Sequence, residues 1–221
     1  MKQTKNILYF IITVLIFSFL FSCQKEDNTP PEITIEGKDT VYLPLNTPFD
    51  DPGALAFDIE EGDLSNSVLV TTELDINQTG IYKVYYTVTD ESGNKAETVR
   101  YVIVFNEAEK YAATYQAELT AQGGGNNLLY TDGLKISETK NHVVITNNFL
   151  DDSLNIEIYA RPGDVEIQTQ SIIFHQDTLM AKTDGAGSID SLSMNLNILL
   201  LKQDSTVEES YHAIYNRINP L

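Results

Sequence analysis

A chain of 221 residues with 14 Lys and Arg against 32 Asp and Glu carries a formal net charge of −18. That balance opposes nucleic acid and anionic lipid surfaces as partners, and because the acids are scattered rather than blocked they read as a solvated surface. One cysteine permits no internal disulfide, so any folded part must stand on a hydrophobic core.

Lys2 and Lys5 open the chain. An apolar run of roughly fifteen residues extends from Ile7 to Phe21, which is signal-sequence length and short of the ~20 that a membrane span needs. The run ends in Leu20-Phe21-Ser22-Cys23. This ending resembles a lipobox, in which a small residue seats the backbone for the signal peptidase and the Cys thiolate takes the lipid. The resemblance implies that residues 1–22 are removed, that Cys23 is acylated, and that the lipid holds the protein to a membrane. Residues 1–22 contain two lysines and no acid, so their loss leaves the chain more acidic. The alternative is an uncleaved anchor helix with an incidental cysteine. The next residues, Gln24-Lys25-Glu26-Asp27, resemble the surface-export signal of Bacteroidetes-type lipoproteins. That implies an outer-membrane protein facing the cell exterior. The bland reading of residues 23–30 is a polar tether.

Residues 31–105 have an all-β texture, with short apolar stretches between Gly, Asn, Asp and Pro clusters. Ile33 and Ile35, Val41 to Leu43 and Val68 to Val70 predict short strands. In the run Gly80 to Thr89, Tyr82, Val84, Tyr86 and Val88 fall on one face at period two. Gly93-Asn94 supplies the positive φ of a tight turn before a returning strand, Thr98 to Phe105. The set Pro52-Gly53-Ala54, Asp58 to Leu64, Gly80-x-Tyr82-x-Val84-x-Tyr86-x-Val88-x-Asp90, Gly93-Asn94-x-Ala96 and Arg100-x-Val102-x-Val104 resembles a bacterial immunoglobulin-like domain of the hyalin-repeat-like type. The resemblance implies a seven-stranded β-sandwich acting as a spacer or adhesion unit.

Residues 110–221 again show period two. Tyr111 to Leu119, Leu134 and Ile136, Val143 to Ile145, Leu154 to Ile158, Val165 and Ile167, Gln170 to Phe174, Met194 to Leu200 and Tyr211 to Tyr215 each predict a strand. About eight strands joined by short turns suggest an antiparallel up-and-down β-barrel, with an open β-sandwich as the alternative. The closing Tyr215-Asn216-Arg217 resembles the small lipocalin-like barrels that succeed Ig-like domains in Bacteroidetes lipoproteins.

No catalytic constellation emerges, and neither an enzyme nor a cofactor is expected. Gly123 to Asn127 lacks the Lys-Ser/Thr of a phosphate loop, and His142, His175 and His212 show no ligand spacing. Asp58, Glu60, Asp63 and Asp90 invite a calcium reading, since Ca²⁺ takes hard oxygens. Counted from Asp58, however, Gly62 falls fifth where an EF-hand needs its glycine sixth, and Leu69 stands at position twelve. Turn chemistry is therefore the favoured explanation, and no metal is assigned. Among tyrosines able to stack on sugar faces, Tyr130 and Tyr159 are the candidate ligand contacts, beside Tyr42, Tyr85 and Tyr101. The triplets beginning Asp39, Asp152, Asp177, Asp190 and Asp204 resemble an O-glycosylation sequon on Thr40, Ser153, Thr178, Ser191 and Ser205, where average composition gives about one such triplet. The alternative is that Asp-Ser/Thr marks a turn before a strand. The leading expectation is a non-enzymatic surface lipoprotein whose Ig-like spacer carries a barrel that binds a polysaccharide or surface protein. A lipocalin-like carrier of a small apolar ligand is the alternative.

Overall fold

The computed structural model describes residues 26–124 and 126–218. Cys23 lies outside the described residues, and the signal and lipidation expectations lie there with it. Among the described residues the regular structure is β-strand, relieved by two single 3₁₀ turns.

Among the described residues seven strands precede Asn106: β1 (Glu32–Ile35), β2 (Thr40–Pro44), β3 (Ala54–Asp58), β4 (Gly62–Asp63), β5 (Leu69–Thr72), β6 (Gly80–Thr89) and β7 (Lys95–Phe105). They form two sheets, ordered β1-β3-β4 and β2-β7-β6-β5, the arrangement of a β-sandwich. The expected alternation on β6 is present. Val84, Tyr86 and Val88 are buried, while Lys83 and Tyr85 face solvent. Strand β2 pairs with β7 in parallel, Val41 opposite Val102 and Pro44 opposite Phe105. Proline has no N–H to donate, and β2 is an edge strand, where that lack is tolerated.

The contacts divide the chain into two compact units. One comprises the described residues up to Gly37, with Pro52–Thr71 and Tyr85–Val99; the other comprises Lys38–Asp51, Thr72–Val84 and the described residues from Arg100 onward. The residues expected to form the first module thus contribute to both.

Within the second unit, the ion pair between Arg100 and Asp51 is 2.8 Å long, and the Arg100 side chain is wholly buried. Asn106 is also fully buried. Its Nδ2 donates to the carbonyls of Ser137, Lys140 and Val143, at 2.8, 2.9 and 3.1 Å. Its Oδ1 accepts from the backbone N–H groups of Ala108 and His142, at 2.9 and 3.0 Å. Residues 106–109, the short join between the two predicted all-β stretches, are therefore stitched through Asn106 to the residues of the later strands.

Beyond that join, β8 (Thr114–Ala121) pairs with β9 (Leu128–Gly133). Leu134 leads directly into β10 (Lys135–Ile136), which opens the meander β10-β11-β12-β13 with β11 (Val143–Ile145), β12 (Glu157–Arg161) and β13 (Asp164–Glu166). A second arm runs β14 (Gln170–Phe174), β15 (Asp177–Thr183), β17 (Ser193–Leu201) and β18 (Val207–Arg217), with β16 (Ser188–Ile189) also on β17. The last strand then returns to the first, Tyr215 opposite Ala117. Consecutive antiparallel pairing is the up-and-down pattern, but it breaks between β9 and β10 and again between β13 and β14. Among the described residues the result is one four-stranded and one seven-stranded sheet rather than a closed ladder. At the second break the reason lies on one edge of β17. Its C-terminal half, Ile198–Leu201, is taken by β15, and its N-terminal half by the two residues of β16. The sheets meet through a single bridge, Val165 to Gly187. A Cβ at Gly187 would lie 2.6 Å from the Val165 carbonyl oxygen, so the close approach requires glycine.

The interior is filled. Tyr115, Leu119, Ile156, Ile158, Met194, Leu196 and Tyr215 belong to one buried cluster. The Tyr115 and Tyr215 rings meet edge-on at 6.3 Å. The Tyr130 and Tyr215 hydroxyls lie 3.0 Å apart, and the Tyr130 hydroxyl also accepts from Leu150 N–H. Burial pushes the Tyr130 phenol up to about 12, against bonds from Tyr215 and Leu150 that act to lower it. Burial likewise raises Tyr215 well above its ordinary value. Folding favours the neutral phenol, so this contribution to stability is complete below the ordinary value of 10.0 and is lost as pH rises through about 12. Titration monitored by phenolate absorbance should show a late group of tyrosines whose ionisation coincides with loss of tertiary circular dichroism. A single transition near pH 10 for all 12 tyrosines would refute it.

Candidate metal centre

Three aspartates converge at one end of the first unit. Asp58 closes β3 before the turn at Gly62, where φ is +85°. Its Oδ1 accepts from the N–H groups of Glu60 and Glu61, at 2.8 and 3.1 Å. This is the turn chemistry expected of an Asp in that position. Asp90 comes just after β6 and is tied to the turn it opens. Its Oδ1 accepts from Asn94 N–H at 2.7 Å and its Oδ2 from Asn94 Nδ2 at 2.8 Å. Asp27 comes from the segment before β1. Its Oδ1 accepts from Thr29 N–H at 2.9 Å, and its carbonyl accepts from the same Asn94 Nδ2 at 3.2 Å. One carboxylate oxygen from each of the three lies within 4.8 Å of the others.

Turn chemistry accounts for only part of this. Asp58 is 1 % exposed, yet its Oδ2 has no hydrogen-bond partner, and neither has the buried Oδ2 of Asp27. A buried polar atom without a partner is costly, more so when it carries charge. At Asp90, burial acts to raise the carboxyl, but bonds from the Asn94 side chain and from the Asn94, Gly93 and Ser92 backbone outweigh it and hold the group below its ordinary value. The site is thus a set of carboxylate oxygens fixed by backbone donors, two of them left unmatched.

Of the four calcium candidates, the structure brings Asp58 and Asp90 together and leaves the other two out. Glu60 is exposed and meets Asp58 through its backbone. Asp63 is exposed and accepts from Ser65 N–H at 2.9 Å. The member that sequence reasoning missed is Asp27, which reads as tether. Its partners stand far along the chain, and only the side-chain amide of Asn94, taken for a turn residue, joins two of the three.

Tyr130 is a correction. It is 5 % exposed and belongs to the core, so it offers no platform to a ligand. Tyr159 is half-buried with the Arg161 guanidinium 5.9 Å from its ring centre, while Tyr42 is 69 % exposed. Ser153, Thr178, Ser191 and Ser205 are exposed and Thr40 is half-buried. In two of these triplets the aspartate serves the turn: Asp190 accepts from Leu192 and Ser193 N–H, and Asp204 from Thr206 N–H. The histidines stand apart in three settings, with His142 against Glu107, His212 against Asn197 and His175 stacked on Phe174.

Residues 33–104 match the family described as bacterial surface protein, Ig-like domain. That stretch takes in β1 to β7 to within one residue at either end. No curated protein matches the chain. Among solved structures, the lipoprotein BT2262 from Bacteroides thetaiotaomicron is similar at 17% identity and a TM-score of 0.35, over 85% of this chain and 100% of that one. A Clostridium perfringens ZmpB structure, of CBM51-2 in complex with GlcNAc and INT domains, is similar at 15% identity and a TM-score of 0.30, over 84% of this chain and 43% of that one. A further ZmpB structure, of the M60 catalytic domain with CBM51-1 and CBM51-2, is similar at 15% identity and 0.30, over 85% of this chain and 21% of that one. This chain thus spans less than half the length of either ZmpB chain. At these TM-scores the likenesses carry no functional argument.

Proposed function

We propose that this protein is a non-enzymatic lipoprotein of the cell surface, anchored through Cys23. Its Ig-like domain serves as a spacer and its remaining β-strands as the part that meets a glycan or protein partner. The observation that carries the reading is the match of residues 33–104 to a domain of bacterial surface proteins, set behind the lipobox-like Leu20 to Cys23. The filled interior around Tyr115, Ile156 and Leu196 weighs against the lipocalin-like carrier, because such a carrier needs an internal cavity where these side chains lie. Protease treatment of intact cells of the native host should remove the protein while leaving periplasmic markers whole. A Cys23→Ser variant should leave the membrane fraction. A protein that stays protected in intact cells, or a variant that stays in the membrane, overturns the surface-anchor reading. Failure of the purified chain to bind on both a glycan array and a surface-protein pull-down overturns the display reading.

A further inference from the structure

We propose that Asp27, Asp58 and Asp90 bind a calcium ion that pins the N-terminal tether to the Ig-like domain. Each carboxylate keeps one oxygen for a backbone N–H and contributes to a shared cluster with oxygens no more than 4.8 Å apart. Oxygens on opposite sides of a calcium ion stand about 5 Å apart, since each sits at ~2.3–2.6 Å from it. The unmatched Oδ2 atoms of Asp27 and Asp58 are the feature that distinguishes this cluster from an ordinary acidic turn. Asp58 is wholly buried, and water has no access to solvate the orphaned oxygen. A cation supplies what three converging carboxylates lack. Hard oxygens throughout favour calcium or magnesium over a transition metal. Three carboxylates provide part of the six to eight oxygens that calcium takes, with water or backbone carbonyls to complete the shell, and calcium tolerates such an irregular set where magnesium demands near-ideal octahedral geometry.

The position of Asp27 gives the ion a mechanical role. Asp27 is the fourth residue after Cys23, so the ion joins the segment that leaves the anchor to the turns at the ends of β3 and β6. Without a cation, the Asp27 carboxylate faces two others and the segment is repelled. With one, its direction is set by the domain. The ion site stands on its own geometry, whereas the consequence for the anchor rests on the lipoprotein reading above.

Calorimetric titration of CaCl₂ into the full-length chain in detergent should give one-site binding with a dissociation constant of about 10⁻⁴ to 10⁻³ M, the range of extracellular modules. The melting temperature should rise over that in chelator. Asp58→Asn and Asp27→Asn should each abolish the heat. Asp27 lies outside every strand, so its variant reports on binding even if Asp58→Asn fails to fold. Limited proteolysis should cut residues 24–31 faster in chelator than in calcium. No heat together with unchanged melting in chelator would sink the ion site, as would heat that survives in both variants. Tighter binding of magnesium would overturn the choice of calcium. Calcium binding with unaltered cleavage of residues 24–31 would overturn the pinning. A Cys23→Ser chain should keep the calcium heat, so failure of the anchor and failure of the ion site are separate results.

Discussion

Replacing Asn106 with alanine should cost about 3–5 kcal/mol of stability, a sum of unsatisfied buried groups and lost packing. The Asn106 amide donates to three carbonyls around the β10–β11 turn, and its oxygen accepts two N–H groups, one within the join at Ala108 and one in that turn at His142. Truncation strands the Ala108 N–H where no water reaches, since Asn106 and Ala108 are both fully buried, while the His142 N–H keeps the Asn141 Oδ1 at 2.9 Å. Each buried donor left without a partner costs ~1–3 kcal/mol. Asn106→Asp should not rescue, because it keeps the acceptor and loses both donor hydrogens while adding a buried charge. Urea unfolding monitored by circular dichroism measures both variants. A loss below about 1 kcal/mol for Asn106→Ala would show that the network adds little beyond packing.

The second large effect belongs to Arg100 and Asp51. Arg100 is among the largest fully buried side chains of the described residues, and Asp51 is 24 % exposed. Removing one partner of a buried pair costs ~3–5 kcal/mol, because the remaining charge stays in a poor solvent. The partial exposure of Asp51 places Asp51→Ala at the low end, about 3 kcal/mol. Adding Arg100→Met, which keeps the volume and removes the charge, should recover most of that loss. Chemical denaturation of the single and double variants decides it. A double variant as unstable as Asp51→Ala would mean that Arg100 acts through packing rather than through charge.

Strands are legible in the sequence wherever one face is buried and the other wet. On β6 and on β8 the period-two pattern names the inward residues, because solvent and core impose opposite demands on alternate side chains. The lack of closure between β13 and β14 is not legible. It depends on which half of β17 each short strand occupies, and Ser188–Ile189 is too brief to show a period. Tyr130 misleads for a related reason: its neighbours Leu128 and Leu129 do not say which face is inward, and only pairing with β8 places Tyr130 beside Ala117. At the candidate site, Asp58 and Asp90 are visible as acids in turns. Their convergence with Asp27 spans 31 and 63 residues of chain, a separation over which local pattern carries no information. Arg100 stands out in the sequence only as one element of a family pattern. Nothing near it in sequence points to Asp51.

The parallel pairing of β2 with β7 bears on how the protein would respond to traction. Parallel neighbours pulled from opposite ends slide along their shared axis, and the main-chain bonds between them are strained together. An antiparallel hairpin pulled from its open end unzips one bond at a time. Thr40 to Pro44 runs alongside Tyr101 to Phe105, and Asn106 fastens the end of that strand to the β10–β11 turn. Under the proposed anchoring through Cys23, a pull between that end and the later strands would load this pair in shear rather than unzip it.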